Sequence, residues 1–143
     1  MDQVTKALAV HRLAGRPPTQ VIGDLLQFEL ARNPGAAFST GTSHTVVFSA
    51  IAVIATGVVL WFVARTRSLG WAAAFGLLLA GIVGNLIDRV FREPGAFRGH
   101  VVDFIALPHW PVFNVADMCI NVAAVVIVVL AVRGIRPDGS RQK

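Results

Sequence analysis

The run VFNVADMCINVAAVVIVVLAV, residues 112–132, decides what kind of chain this is. It is long enough to cross a hydrocarbon core, which takes about 20 helical residues at roughly 1.5 Å each, yet it carries an acid, Asp117, near its start. An acid inside a spanning helix costs roughly 3 kcal/mol unless it faces protein or water, so Asp117 marks a place where lipid is not the neighbour. Upstream, residues 45–64 and 68–87 are equally apolar and are joined by Arg65-Thr66-Arg67, a turn short enough to demand a tight hairpin. An all-α integral membrane protein, a bundle of three spans, is the expected architecture.

Composition agrees. Of 143 residues 55% are apolar and only 15% charged, and the mean hydropathy is +0.64, outside the range of an ordinary soluble domain. The length suits one membrane domain, residues 1–143, with little room for a separate soluble catalytic domain. The net charge of +5 comes from Lys and Arg that punctuate apolar runs and do not form a block, so they read as membrane-flanking charges and no nucleic-acid partner is expected. Cys119 stands alone among the cysteines, which excludes an internal disulfide, and no Cys/His cluster offers a metal site.

Arginine placement sets the orientation. Arg65 and Arg67 follow the first span, and Arg133, Arg136, Arg141 and Lys143 follow the third, so both regions are expected on the cytoplasmic side. Residues 18–44 and 88–111 then face outward. In the N-terminal part Val4, Leu8, Ala9 and Leu13 suggest a short helix broken by Gly15 through Pro18, and Val21 to Leu30 is mixed enough to be strand or loop. The early residues lack the sustained apolar run of a secretory leader. Ala72, Gly76, Ala80 and Gly84 put small residues at every fourth position of the second span, a smooth stripe for close helix packing.

Counting depth from the cytoplasmic arginines gathers the polar residues at one edge. Asp88 lies about 21 residues beyond Arg67, close to the full thickness of the core, and Asn85 is one turn deeper. Asp117 lies about 16 residues before Arg133, just beneath the same edge, with Asn114 and Asn121 on its face. The segment after Asp88 must return to that edge by Val112, bringing Val101-Val102-Asp103-Phe104-Ile105 with it, and Asn33 precedes the first span on the same side. Asp103 and Asp117 are therefore expected to meet. Two carboxyls sharing a partly dehydrated site resist joint ionisation, so one holds a proton while the other is anionic, an acid and a base able to direct water at an amide without a metal or cofactor. On spacing alone simple pairing also fits: Asp88 with Arg89 or Arg92, Asp103 with Arg98, and Asp117 hydrogen-bonded to Asn114 and Asn121. Neither an HExxH pair among His11, His44, His100 and His109 nor a GxSxG elbow around Ser39, Ser43 or Ser49 offers another hydrolytic scheme.

Five pieces in order carry a resemblance: Asp2-Gln3-Val4-Thr5-Lys6; Arg32-Asn33-Pro34-Gly35-Ala36-Ala37-Phe38-Ser39; Gly84-Asn85-Leu86-Ile87-Asp88-Arg89; Val101-Val102-Asp103-Phe104; and Phe113-Asn114-Val115-Ala116-Asp117. Over nearly its whole length the chain resembles the lipoprotein signal peptidases, or signal peptidase II, the membrane aspartyl peptidases of bacteria. The resemblance implies cleavage of a prolipoprotein signal peptide just before a cysteine that already carries a diacylglyceryl group. It further implies a multi-pass protein of the bacterial inner membrane with its active site near the outer face. By that resemblance Asp103 and Asp117 match the catalytic pair, Asn33, Asn85, Arg89 and Asn114 match residues lining the site, and Asp2 and Lys6 match a motif near the outer end of the family's first helix. Val21 to Arg32 would correspond to a small extracytoplasmic β-structure. The family has four spans; here Met1 stands directly before the Asp2 motif, so the first is expected to be mostly missing and three to remain. No cofactor is implied, the partners are the lipid-modified prolipoprotein and membrane lipids, and a monomer is expected. The residues themselves leave two other readings open: a small ion- or proton-conducting transport subunit whose acids bind the cation, and a non-catalytic assembly protein using the small-residue stripe.

Overall fold

A computed structural model describes residues 1–35 and 45–141. Three helices are long and apolar enough to cross a membrane: α2 (Thr45–Val63), α3 (Leu69–Phe91) and α4 (Val115–Val132). They follow a short α1 (Asp2–Leu13) and two strands, β1 (Thr19–Ile22) and β2 (Leu26–Asn33), while a third, β3 (Val101–Ala106), lies between α3 and α4. The expected helical bundle with a small β-structure is what the chain forms. Ala36, Ala37, Phe38, Ser39, Ser43 and His44, singled out in the sequence, lie outside the described residues.

Two boundaries differ from the hydropathy reading. The second span continues a turn further, to Phe91, because Asp88 and Arg89 find partners inside the protein and need not leave the helix for water, with Arg92 just past its end reaching back to Asp88. The third begins at Val115, not Val112: Phe113 forms a β-bridge to Ile105, and Asn114 caps the helix. The three strands form an antiparallel sheet in the order β1-β2-β3. Asn33 stands opposite Val101 and Ala31 opposite Asp103. The β2 pairing thus carries Asn33 to the strand that bears the acid.

Helix packing rests on glycine, and only the Gly84 end of the expected stripe takes part in it. A Cβ on Gly81 would fall 2.5 Å from the Ala116 carbonyl oxygen, and one on Gly84 would meet Asp2 Oδ2 at 2.8 Å and Ala116 Cβ at 3.2 Å. Close approach of α3 to α4 and α1 therefore runs through Gly81 and Gly84. Gly76 has open space around it, and Ala72 and Ala80 are exposed. The difference is one of phase: the contact face is tilted by the polar end, where Asp88 must point inward.

At the opposite end Val59, Trp71 and Phe75 form a small apolar core, with Leu78, Ile82, Ile127 and Leu130 against it. The tail after α4 folds back: Trp71 Nε1 donates to the Ile135 carbonyl at 2.8 Å, and the backbone N–H groups of Arg67 and Ser68 donate to Pro137. Arg65-Thr66-Arg67 makes the expected tight turn between α2 and α3, with the Arg65 guanidinium 4.1 Å over the Trp61 ring.

Candidate active site

Asn85, Asp88, Arg89 and Arg92 recur at helical spacing and share one face of α3. Asp88 is fully buried and saturated with donors: Arg92 Nε at 2.7 Å, Gln3 Nε2 at 3.0 Å, Lys6 Nζ at 2.9 Å and the Val102 backbone N–H at 3.0 Å. One carboxylate thereby joins α1, α3 and β3. The segment leading to β3 is seated by the same turn of α3. Gly99 donates its N–H to the Arg89 carbonyl at 2.9 Å, and a Cβ there would lie 2.3 Å from the Asp88 carbonyl oxygen, so only glycine fits. Ser49 of α2 donates to the Phe97 carbonyl at 2.6 Å. The 91–99 stretch, which in sequence is a surface loop of no evident purpose, closes the end of α3 and delivers β3.

Asp103, on β3, is 2% exposed. Its Oδ1 accepts from Asn114 Nδ2 at 2.6 Å and its Oδ2 from Asn33 Nδ2 at 3.1 Å. Asn33 is aimed by its own turn, its Oδ1 accepting the Gly35 N–H at 3.0 Å. Burial, assisted by the negative charge of Asp117, pushes the Asp103 carboxyl up to about 6, against the opposing hydrogen bonds of Asn33 and Asn114 and the more distant Lys6. The pairing with Arg98 that spacing allowed does not occur; two side-chain amides hold Asp103 instead.

Asp117 sits in the first turn of α4 in a reciprocal cap. Asn114 Oδ1 accepts the Asp117 N–H at 3.0 Å, and Asp117 Oδ2 accepts the Asn114 N–H at 3.1 Å. Asp117 Oδ1 accepts from Asn85 Nδ2 at 2.8 Å. Asn114, fully buried, donates the two hydrogens of its amide to Asp103 and to Asn85 Oδ1, the latter at 3.1 Å. The two acids expected to meet are thus tied to the same asparagine. They line one cleft of about 360 Å³ with Asn33, Asn121, Leu107, Trp110 and Phe113. Asn121 faces this cleft and not Asp117's carboxyl, so the pairing entertained for it is replaced by Asn85.

Arg89 reaches the Asn85 carbonyl with Nη1 at 3.3 Å, while its buried Nε has no hydrogen-bond partner among the described residues. The guanidinium lies within electrostatic reach of Asp103, Asp117 and Asp88. Asp2 does more than accompany Lys6: its Oδ1 accepts the Ala116 N–H at 3.0 Å, satisfying an amide at the start of α4 from a different helix. Lys6 is 0% exposed and contacts Asp2, Asp88 and Asn85. Sequence reasoning brought Asp2, Lys6, Asn33, Asn85, Arg89, Asn114, Asp103 and Asp117 to this end, and the structure gathers them all there. It missed Gln3 and assigned Asp88 only an arginine partner. The available signal was an acid inside a span one turn beyond Asn85. His100 and His109 join no metal-holding group of His, Cys, Asp and Glu among the described residues.

Comparison with known proteins supplies the family. The family described as signal peptidase (SPase) II matches residues 1–133. A lipoprotein signal peptidase of Streptomyces griseus is 50% identical over 146 residues, which span all of this chain and 73% of that protein. The one from Leifsonia xyli is 48% identical over 144 residues, all of this chain and 67% of the relative, and that of Mycobacterium tuberculosis is 47% identical over 137 residues, 94% of this chain and 66% of its own length. Two solved bacterial membrane enzymes share the fold. One, 27% identical with a TM-score of 0.79, covers 99% of this chain and 86% of its own; the other, 30% identical with a TM-score of 0.80, covers 92% and 85%. Sequence, spans and solved relatives agree, and the chain belongs to the signal peptidase II family of multi-pass membrane peptidases.

Proposed function

We propose that this chain is an aspartic endopeptidase that removes the signal peptide from diacylglyceryl-modified prolipoproteins, with Asp103 and Asp117 as its catalytic pair. One observation carries the assignment: the two carboxyls, from a strand and a helix, line one cleft and are bridged by Asn114. Family membership supplies the substrate class. Because such pairs share one proton, the roles belong to the dyad as a whole. Burial raises the Asp103 carboxyl, the direction that favours its holding the shared proton at the outset.

Asp117 takes a proton from water as the water oxygen bonds to the scissile carbonyl carbon, and Asp103 gives its proton to the carbonyl oxygen, leaving a gem-diol. In the second step Asp117 returns its proton to the leaving nitrogen as the C–N bond breaks, and Asp103 recovers one from a gem-diol hydroxyl. The dyad ends as it began. Leu107, Trp110 and Phe113 give the cleft an apolar wall against which the acyl-bearing end of the substrate can rest. Arg89 balances the dyad's charge, and Asn33, Asn85 and Asn114 hold the carboxyls in register.

A substrate anchored by acyl chains has its scissile bond near a membrane interface, which suits a site at one end of the bundle. With Arg133, Arg136 and Arg141 cytoplasmic, that end is the outer face of the inner membrane. The transport reading requires polar side chains along the depth of the bundle, and those that are buried among the described residues, Lys6, Thr45, Ser49, Asp88, Asp103 and Asn114, cluster toward the sheet. The enzyme is taken to act as a monomer. The test is incubation of a diacylglyceryl-modified prolipoprotein with the chain in vesicles, read by gel shift and by the mass of the released peptide. Release just before the lipidated cysteine, abolished in Asp117→Asn, is the expected result; cleavage that persists in that variant sinks the dyad.

A further inference from the structure

Lys6 is buried and touches neither Asp103 nor Asp117 with its ammonium. Its contacts are Asp2 Oδ2, Asp88 Oδ2 and Asn85 Oδ1, each at 2.9 Å. The third contact matters for the dyad. A side-chain amide is nearly the same shape when turned over, so only its partners fix which end is oxygen. Asn85 Oδ1 receives two donors, Lys6 Nζ and Asn114 Nδ2 at 3.1 Å, and its Nδ2 donates to Asp117 at 2.8 Å. Turned over, it would set N–H against an ammonium that has no acceptor and oxygen against a carboxylate.

We propose that Lys6 is a positioning residue for the dyad: its ammonium locks the Asn85 amide with NH2 toward Asp117 and oxygen toward Asn114. Through Asn114, whose other hydrogen goes to Asp103, one cation on α1 sets the hydrogen bonding of both acids. This deepens the aspartic-peptidase reading and rests on it. The charges packed around the relay are Asp2 from α1, Asp88, Arg89 and Arg92 from α3, Asp103 from β3 and Asp117 from α4. Asp2, Lys6, Asp88 and Arg92 balance one another, so Lys6 acts on the dyad chiefly by orientation and not by adding net charge.

The test is a double-mutant cycle on the full chain in detergent, reading kcat, KM and the pH profile for cleavage of a diacylglyceryl-modified prolipoprotein. Lys6→Met is expected to lower kcat about 10- to 100-fold with KM within about twofold, and to move the pH profile. Asn85→Ala does the same, and the combined variant is no worse than Asn85→Ala by more than about twofold, because the lysine acts through the amide. Lys6→Met leaves Asp2 without its cation, so Asp2→Asn/Lys6→Met is run beside it. There Asp88 keeps Arg92, the buried charge stays balanced, and thermal unfolding verifies the fold. Losses that multiply in the combined variant, or a parental kcat and pH profile in both lysine variants, overturn the proposal. Asp117→Asn separates the two levels: if it keeps turnover the dyad reading itself has failed, whereas an inactive Asp117→Asn with multiplying losses removes only the role of Lys6.

Discussion

The two ends of the bundle are held together by different physics. At the arginine end Val59, Trp71 and Phe75 pack with Phe62, rings stacked at 5.7 Å between Phe62 and Phe75 and tilted at 5.3 Å between Trp71 and Phe75. At the sheet end the helices are joined by Lys6, Asp88, Asn85, Asn114 and Asp117 through bonds that each have a single correct partner. In a bilayer apolar contact between helices contributes little beyond what lipid tails already offer. The arginine end is therefore tolerant, with many interchangeable contacts, while the sheet end is specific, because an orphaned buried donor or acceptor costs about 1–3 kcal/mol. Stability is spread over one end and specificity is concentrated in the other.

Four predictions press on that contrast, in descending order of effect. Asp103→Asn and Asp117→Asn should each lower kcat at least about 10³-fold while costing only about 1–3 kcal/mol of stability in detergent, since an amide keeps the shape and one acceptor oxygen but turns its NH2 toward one of the two donors each carboxylate now satisfies. Large stability losses in both would place the acids with Asp88, as structure and not chemistry. Asp88→Leu should destabilise by about 3–5 kcal/mol, the cost of breaking a buried pair and leaving Lys6 and Arg92 facing each other, read by thermal unfolding.

Third, pH: Asp103 is raised in the folded chain from 3.8 to about 6, so between those values the unfolded state has lost a proton that the folded state keeps. Stability should then fall as pH rises from about 4 to about 6, by up to roughly 3 kcal/mol, and be flat in this respect above that. Asp103→Asn should abolish the slope, as monitored by unfolding midpoints across the range. The smallest effect is expected at the other end. Trp71→Phe keeps the ring but loses the bond to Ile135, costing about 1 kcal/mol, with kcat unaffected.

How much of this the sequence disclosed follows the range of the forces involved. The spans were legible because hydropathy is local, and the polar edge because depth can be counted along a helix. Asp103 and Asp117 came together in that count although they belong to a strand and a helix. The strands were harder: all four residues of Thr19–Ile22 are exposed, so no alternation marks them, and β2 has a mixed burial pattern with an irregular register. The glycine face was legible only at Gly84, and Gly81 was missed, because a four-residue repeat gives a stripe but not its partner. Asp88's hub was out of reach of spacing, since its partners Gln3 and Lys6 lie some 80 residues away. So was the capping of Ala116 by Asp2 across a separation of 114 residues.

Asn114 begins a helix and ties Asp103 to Asp117, the proposed dyad. Its oxygen secures the first turn of α4 and its nitrogen reaches Asp103. Local fraying of that turn and dismantling of the site are consequently a single event, with no loosened but competent intermediate between them. Deuterium uptake at the amides of Ala116 and Asp117, which are bonded to Asp2 and Asn114, then becomes a clock for the integrity of the site. A lipid or detergent that hastens exchange there is expected to lower activity in proportion, long before the spanning helices come apart.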